Sequence, residues 1–387
     1  MERRFDLDLV RVCAFGLLVL YHVGMYYVSW DWHVKSPEAG PALEPFMFLT
    51  SPWRLSLLFF VSGVATAFLL AKASRGFLSR RSWRLLVPLA FGMLVIVPPQ
   101  SYYEVVEQLP GGYHDGYLAF WGRYLAGDGS FCDDDGCLRL PTWNHLWFVA
   151  YLWVYTLVVG FAARLAPRAL DGLQDVAGRT FAGVHALLLP IVLLALARLL
   201  LVGRFESTHA LVDDWYNHAQ YFAVFLLGFL LARAEGFWAA VRALRWQALG
   251  LAAASHAFIV WYFYFSPFAG ATPPEALRMA QRVAWGLNQW SAIVAILGFA
   301  QRFRHADTPM LRWLGTAVFP VYILHQTVIV VASQWLKPLA IPVPVEGLLL
   351  VGITFATCVL ACVVVQRIRV LRPLFGLPWR QAGGGTR

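Results

Sequence analysis

Ten stretches of this chain are long enough and apolar enough to cross a bilayer, and nothing else in the sequence limits the fold as strongly. A span needs about 20 mostly apolar residues. The candidates are 9–29, 54–71, 83–99, 143–163, 182–202, 218–233, 246–265, 283–301, 313–335 and 344–366. The sixth is short, and the seventh is punctuated by Ser255 and His256. Only 14% of the 387 residues are charged, where a soluble domain carries about 25%. Lipid-facing surface excludes charge, and aromatic rings collect at both water–lipid boundaries, which accounts for 17 Trp and 15 Tyr. The expected fold is an all-α integral membrane protein, a bundle of about ten transmembrane helices. The bundle forms one domain over 1–387, with its core at about 5–370. No internal repeat and no appended soluble domain is visible.

The charges orient the bundle. A formal charge of +9 on a soluble chain would suggest nucleic acid; here the basic residues read as topology, and no nucleic-acid partner is expected. With the N-terminus in the cytoplasm, 22 of the 31 Lys and Arg fall inside, beside 7 acidic residues. The outside loops hold 8 basic and 15 acidic residues, and Arg198 stays within the fifth span. The Lys/Arg bias sets orientation, so both termini are expected in the cytoplasm, with 371–387 as a cytoplasmic tail. The first apolar stretch is interrupted by Arg11 and His22 and is followed by no small-x-small cleavage site. It reads as a retained span rather than a signal peptide.

The largest outside segment is 100–142. Its run Asp133, Asp134, Asp135 is bracketed by Cys132 and Cys137. In an oxidising compartment these two cysteines are a disulfide candidate, with free thiols as the alternative. A metal site there would mix hard carboxylates with soft thiolates, and no metal is assigned. Cys13, Cys358 and Cys362 lie in spans and read as buried apolar residues.

An ionisable group at the centre of a span costs about 2.5–3.5 kcal/mol on insertion scales, so it marks a pocket or a pathway by default. Arg11 and His22 are eleven residues apart. That is about three helical turns, which puts both on one face, roughly 16 Å apart along the axis. For Arg11 the alternative is snorkelling to the headgroups; for His22 it is a buried ring satisfied by a carbonyl. A neutral imidazole suits general base work near pH 7. Arg80, Arg81 and Arg84 enter the third span. Arginines fall there under the positive-inside rule in any case, but guanidinium forks also grip phosphates, and a helix N-terminus adds free N–H groups. Weaker candidates are Gln100 and Glu104 at the outer end of span three, and Asn144 and His145 at the start of span four. Trp143, Trp147 and Trp153 read first as interface anchors and second as sugar-stacking surfaces, and His325 with Gln326 as hydrogen-bonding glue between helices. "FFVSG" (59–63) reads as close packing through Ser62 and Gly63.

Arg11, ten residues, then His22 resembles the first signature of the acyltransferase 3 family of membrane acyltransferases. Arg81-Ser82-Trp83-Arg84 resembles its second signature, R-x-x-R. "FFVSG", "RLLVPLAFG", "NHLWF" and "YILHQ" are similar to its recurrent motifs and occur in the family's order. "PPQSYYE" and "NHLWFVAYLW" are most similar to the branch of periplasmic-glucan succinyltransferases. The resemblance implies transfer of an acyl group from cytoplasmic acyl-CoA to a hydroxyl of a periplasmic or lipid-linked glycan, in a bacterial inner membrane. It implies function for His22 and Arg11 as catalytic residues and for Arg81 and Arg84, with Arg80, at the acyl-CoA. Glu104, Asn144 and His145 are the candidates for the acceptor. No permanently bound cofactor is expected, only acyl-CoA as donor; self-association is left open. The rivals are a glycan transporter, against which no inverted repeat and no paired Gly/Pro-broken helices are seen in the sequence, and a structural subunit of an envelope assembly.

Overall fold

A computed structural model describes residues 3–72, 75–133, 136–268 and 270–379. Asp134, Asp135 and residues 380–387 of the tail lie outside the described residues. The long helices, in chain order, are α1 (Phe5–Tyr27), α2 (Arg54–Lys72), α3 (Phe77–Phe91), α4 (Pro98–Gln108) and α5 (Tyr117–Leu125). After a two-stranded hairpin, β1 (Cys132–Asp133) and β2 (Gly136–Cys137), come α6 (Trp147–Leu165), α7 (Pro167–Thr180), α8 (His185–Leu201), α9 (Trp215–Leu231) and α10 (Glu235–Ala243). The remainder are α11 (Arg245–Val260), α12 (Glu275–Ala300), α13 (Pro309–Leu336) and α14 (Val343–Arg367).

Among the described residues, eight helical segments are long and apolar enough to cross a membrane, and ten if each of two bent pairs counts as one span. In those pairs α7 meets α8 at 108° and α9 meets α10 at 113°. The expected spans five and six are α8 and α9, each 17 residues. At 1.5 Å per residue such a helix reaches about 26 Å, slightly under a hydrocarbon core of about 30 Å. Leu188, Val192, Leu196 and Leu200 recur every fourth residue on α8 and are all about half exposed. A continuous apolar stripe facing outward has no place in water and fits lipid. The protein is an all-α membrane bundle.

The chain divides into two compact units. The first comprises the described parts of Met1–Leu17, Pro45–Arg80 and Tyr151–Gly315. Its tightest packing is α2 on α9. A Cβ on Gly63 would lie 2.0 Å from the Phe225 carbonyl oxygen, and one on Gly228 would lie 2.1 Å from that of Phe60. Only glycine lets two helix backbones approach this closely, as expected for Gly63. Gln289 of α12 donates to Ser56 Oγ (2.6 Å) and to Gln220 Oε1 (3.0 Å), so amides link α12, α2 and α9.

The second unit comprises the described parts of Leu18–Glu44, Arg81–Ala150 and Thr316–Arg387. Val19, Val23 and Tyr26 of α1 pack there with Ile329 and Val330 of α13 and Leu350 of α14. Phe120, Tyr124, Phe131 and Val105 make a small aromatic core for the segment that follows α4, and Cys132 is disulfide-bonded to Cys137.

Between α3 and α4 the helix widens into a π turn at Gly92–Ile96. Prolines 98 and 99 remove two N–H donors, and Val97 N–H bonds to Gly92 O instead of Met93 O. Of the carbonyls that lose their helical partners, three take side-chain donors instead. Trp121 Nε1 donates to Leu94 O (2.9 Å), Tyr124 Oη to Met93 O (2.9 Å) and Thr327 Oγ1 to Ile96 O (2.7 Å). This irregular turn, of a kind that often marks functional sites, sets the position of Gln100.

Candidate active site

His22 lies near the end of α1, in the second unit. Its Nδ1 is 2.7 Å from Nε2 of His325 on α13, and the two rings are nearly parallel, at 7°. His325 Nδ1 lies 2.7 Å from the carbonyl oxygen of Tyr322, one turn earlier on the same helix. His145 presents its ring edge-on to His325, with centroids 5.1 Å apart. His145 Nε2 is 3.2 Å from the carbonyl oxygens of both Tyr322 and Ile323, and the Tyr322 hydroxyl donates to the His145 carbonyl. His145 and His325 are thus held on one stretch of α13 backbone, and both are buried.

Gln100, fully buried at the start of α4, joins this cluster to a second one. Its Oε1 accepts from Asn144 Nδ2 (3.1 Å) and Gln326 Nε2 (3.0 Å); its Nε2 donates to Thr327 Oγ1 (2.6 Å) and makes a long contact with His145 Nδ1 (3.5 Å). Gln326 Nε2 also reaches His33 Nε2 at 2.9 Å, and His33 Nδ1 lies 2.7 Å from the Glu104 carboxylate. Burial of His33 lowers its pKa, but the charge and hydrogen bond of Glu104, with Asp31 behind them, outweigh it. The net shift is upward, despite the opposing charge of Lys35.

The predicted acceptor residues Glu104, Asn144 and His145 therefore enter one hydrogen-bonded network, contiguous through ring contact with the His22–His325 pair. Asn144 adopts a left-handed backbone (φ 39°) in the turn that precedes α6. The network includes His33, which no sequence pattern singled out: it lies outside the spans and its partners are 71 and 293 residues away. His325 and Gln326 do bond between helices, as expected of them, but the partner of His325 is the candidate catalytic residue itself.

The predicted arginines are divided between the two units. Arg81 and Arg84 belong to the second unit, and Arg84 Nε donates to the Gly376 carbonyl (3.1 Å). Arg80 belongs to the first unit and is exposed. The expectation that these residues open the helix is corrected: α3 begins at Phe77, six residues before the expected boundary. No proline or glycine interrupts 77–87, so the helix runs back to Gly76 (φ 69°). Its free N–H groups lie in the turn before Arg81. Arg11 belongs to the first unit, where Nη2 bonds to Asp8 Oδ1 (3.1 Å) and the Gly315 carbonyl (3.0 Å). Its buried Nε has no hydrogen-bond partner among the described residues.

Two further readings change. Cys13 is exposed rather than buried, because it points away from the protein interior. Trp147 is only 8% exposed, so most of its ring is covered by protein and not open to the surroundings. Cys358 and Cys362 are buried as expected.

A family profile described as an acyltransferase domain, that of acyltransferase 3, matches residues 4–366. The chain belongs to the acyltransferase 3 family. No curated protein matches it, and no solved structure does. Family and fold together make it a multi-pass membrane acyltransferase, with the bilayer as its surroundings.

Proposed function

We propose that this acyltransferase moves an acyl group from acyl-CoA to a hydroxyl of a glycan, with His22 as the reacting histidine. The observation that carries the reading is the convergence of His22, His145, Asn144 and Glu104 in one unit. They come from three separate stretches of sequence, and the rings of His22 and His145 meet that of His325 there. A sugar hydroxyl is scarcely ionised at neutral pH, so attack on a thioester needs a base or a prior acyl transfer to the enzyme. His22 serves as that base, or carries the acyl group as an acyl-imidazole.

Arg81 and Arg84, three residues apart on one face of α3, suit the phosphates of CoA, with Arg80 beside them. Arg11 offers its unsatisfied Nε–H as a further donor to an anion. Glu104, Asn144 and His145 hold the glycan. The charge bias supports a cytoplasmic location for both termini and a periplasmic one for 100–142, in a bacterial inner membrane. One domain, no resident cofactor and no metal complete the proposal.

Purified protein in detergent, given radiolabelled acyl-CoA and envelope glycan, should release CoA and label the glycan. Replacing Arg81 or Arg84 by Gln should raise the KM for acyl-CoA about 10- to 100-fold, the weight of a charge-assisted hydrogen bond. An unchanged KM would reduce these arginines to orienting the helix in the membrane. Glycan movement without acyl loss would make the protein a transporter instead.

A further inference from the structure

The tautomer of His22 can be read from its neighbours. The Tyr322 carbonyl only accepts hydrogen bonds, so the His325 Nδ1 that lies 2.7 Å from it carries a proton. A neutral imidazole has one N–H, which leaves the lone pair of His325 on Nε2. That lone pair lies 2.7 Å from His22 Nδ1. Two lone pairs at this distance would repel, so in the neutral pair His22 Nδ1 carries the proton and donates it. The lone pair of His22 is then on Nε2.

We propose that His325 is a positioning residue that fixes His22 in its Nδ1–H tautomer, so that His22 reacts through Nε2. The proposal rests on the reading of His22 as the reacting histidine and names the atom. The chain Tyr322 carbonyl, His325, His22 plays the part that an oriented acceptor plays behind a catalytic imidazole in general. His22 Nε2 takes the proton of the acceptor hydroxyl as its oxygen bonds to the thioester carbonyl carbon. The C–S bond breaks, and the leaving thiolate receives that proton from Nε2. While Nε2 holds it, the cationic ring keeps its Nδ1–H on His325. An acyl-imidazole route uses the same atom, because Nε2 is then the nitrogen that is acylated.

The position needs an acceptor at the place of His325 Nε2, not a histidine as such, and glutamine can put its Oε1 there. His325→Leu should lower kcat about 100-fold or more, within the range of an acid–base contribution, while the KM for acyl-CoA stays within about twofold, the pattern of an interaction confined to the transition state. His325→Gln should recover most of that loss. If His325→Leu keeps full kcat while His22→Ala is inactive, the positioning role is wrong and the reading of His22 stands. If His22→Ala keeps its turnover, both are wrong. Folded Gln and Leu variants that are equally inactive would also overturn the role. Independently of any variant of His325, 15N spectra of histidine-labelled protein, with His22→Ala subtracted to assign the signals, should show His22 Nδ1 protonated and Nε2 bearing the lone pair. The reverse pattern refutes the proposal.

Discussion

Each unit holds a partly buried histidine among polar groups, and the two are built for different ends. In the first unit His218 of α9 accepts from Tyr155 Oη at Nδ1 (2.9 Å), donates from Nε2 to the Leu211 carbonyl (2.8 Å), and stacks on Tyr151. Both ring nitrogens are committed to the fold. Around it, the Asp214 carboxylate accepts from Tyr151 Oη, from Asn217 Nδ2 and from the backbone N–H groups of Thr208 and His209. This pins a loop in which His209, Leu211 and Asp213 all have positive φ. In the second unit the partner of His22 is another titratable ring, itself anchored on a carbonyl. A histidine held by a hydroxyl and a carbonyl is a strut. One aligned by a second histidine has a defined tautomer and a defined reactive edge.

The sharpest test of this contrast replaces each histidine. His22→Ala should cut turnover at least about 100-fold, as loss of a general base does, with the protein still folded and inserted. His218→Ala should leave kcat within a few-fold and instead destabilise the first unit by about 1–3 kcal/mol, the cost of unsatisfied buried partners. Turnover and thermal unfolding in detergent, measured on both variants, read out the two effects. The contrast collapses if His218→Ala is the inactive one.

A smaller effect separates the packing of the units. Gly63→Ala drives a Cβ into the Phe225 carbonyl and should cost about 1–3 kcal/mol, as overpacking does. Gly352 of α14, in the second unit, has nothing within 4 Å of a Cβ. Gly352→Ala should be neutral, or stabilising by up to about 1 kcal/mol through helix propensity. Unfolding midpoints that move alike for the two variants would contradict the close approach of α2 and α9.

The smallest effect is a pH dependence that belongs to the second unit. Because the pKa of His33 is raised in the fold, its pairing with Glu104 stabilises most below the unfolded histidine pKa of about 6.5. That contribution fades as pH rises through the folded value. The stability difference between wild type and His33→Gln should be largest near about pH 6 and shrink toward about pH 9. A difference that stays constant over this range rules out the linkage.

Much of the fold was legible because transmembrane helices announce themselves locally, through length and hydropathy. All ten expected spans have a helical counterpart, though two are joined to a second helix across a sharp bend. Boundaries were less legible where polar residues remain helical, as at Phe77–Trp83, since hydropathy marks where a helix meets lipid and not where its hydrogen bonds begin. Of the candidate site, His22, Gln100, Glu104, Asn144, His145, His325 and Gln326 stood out as polar groups inside or at the ends of spans. His33 did not, because it lies in a connecting segment where a histidine attracts no notice.

Sequence alone determined that this chain is a helical membrane protein, that it carries the motifs of a membrane acyltransferase, and that Arg11 and His22 fall on one helix three turns apart. The first and third follow from local composition and the 3.6-residue turn; the second rests on resemblance to a known family. Only the tertiary structure decided what His22 touches. Its contact with His325 spans 303 positions of sequence, and that of His145 with the Tyr322 carbonyl spans 177. Hydrogen-bond geometry between side chains so distant in sequence is set by how the helices pack, and no spacing rule within one helix contains it.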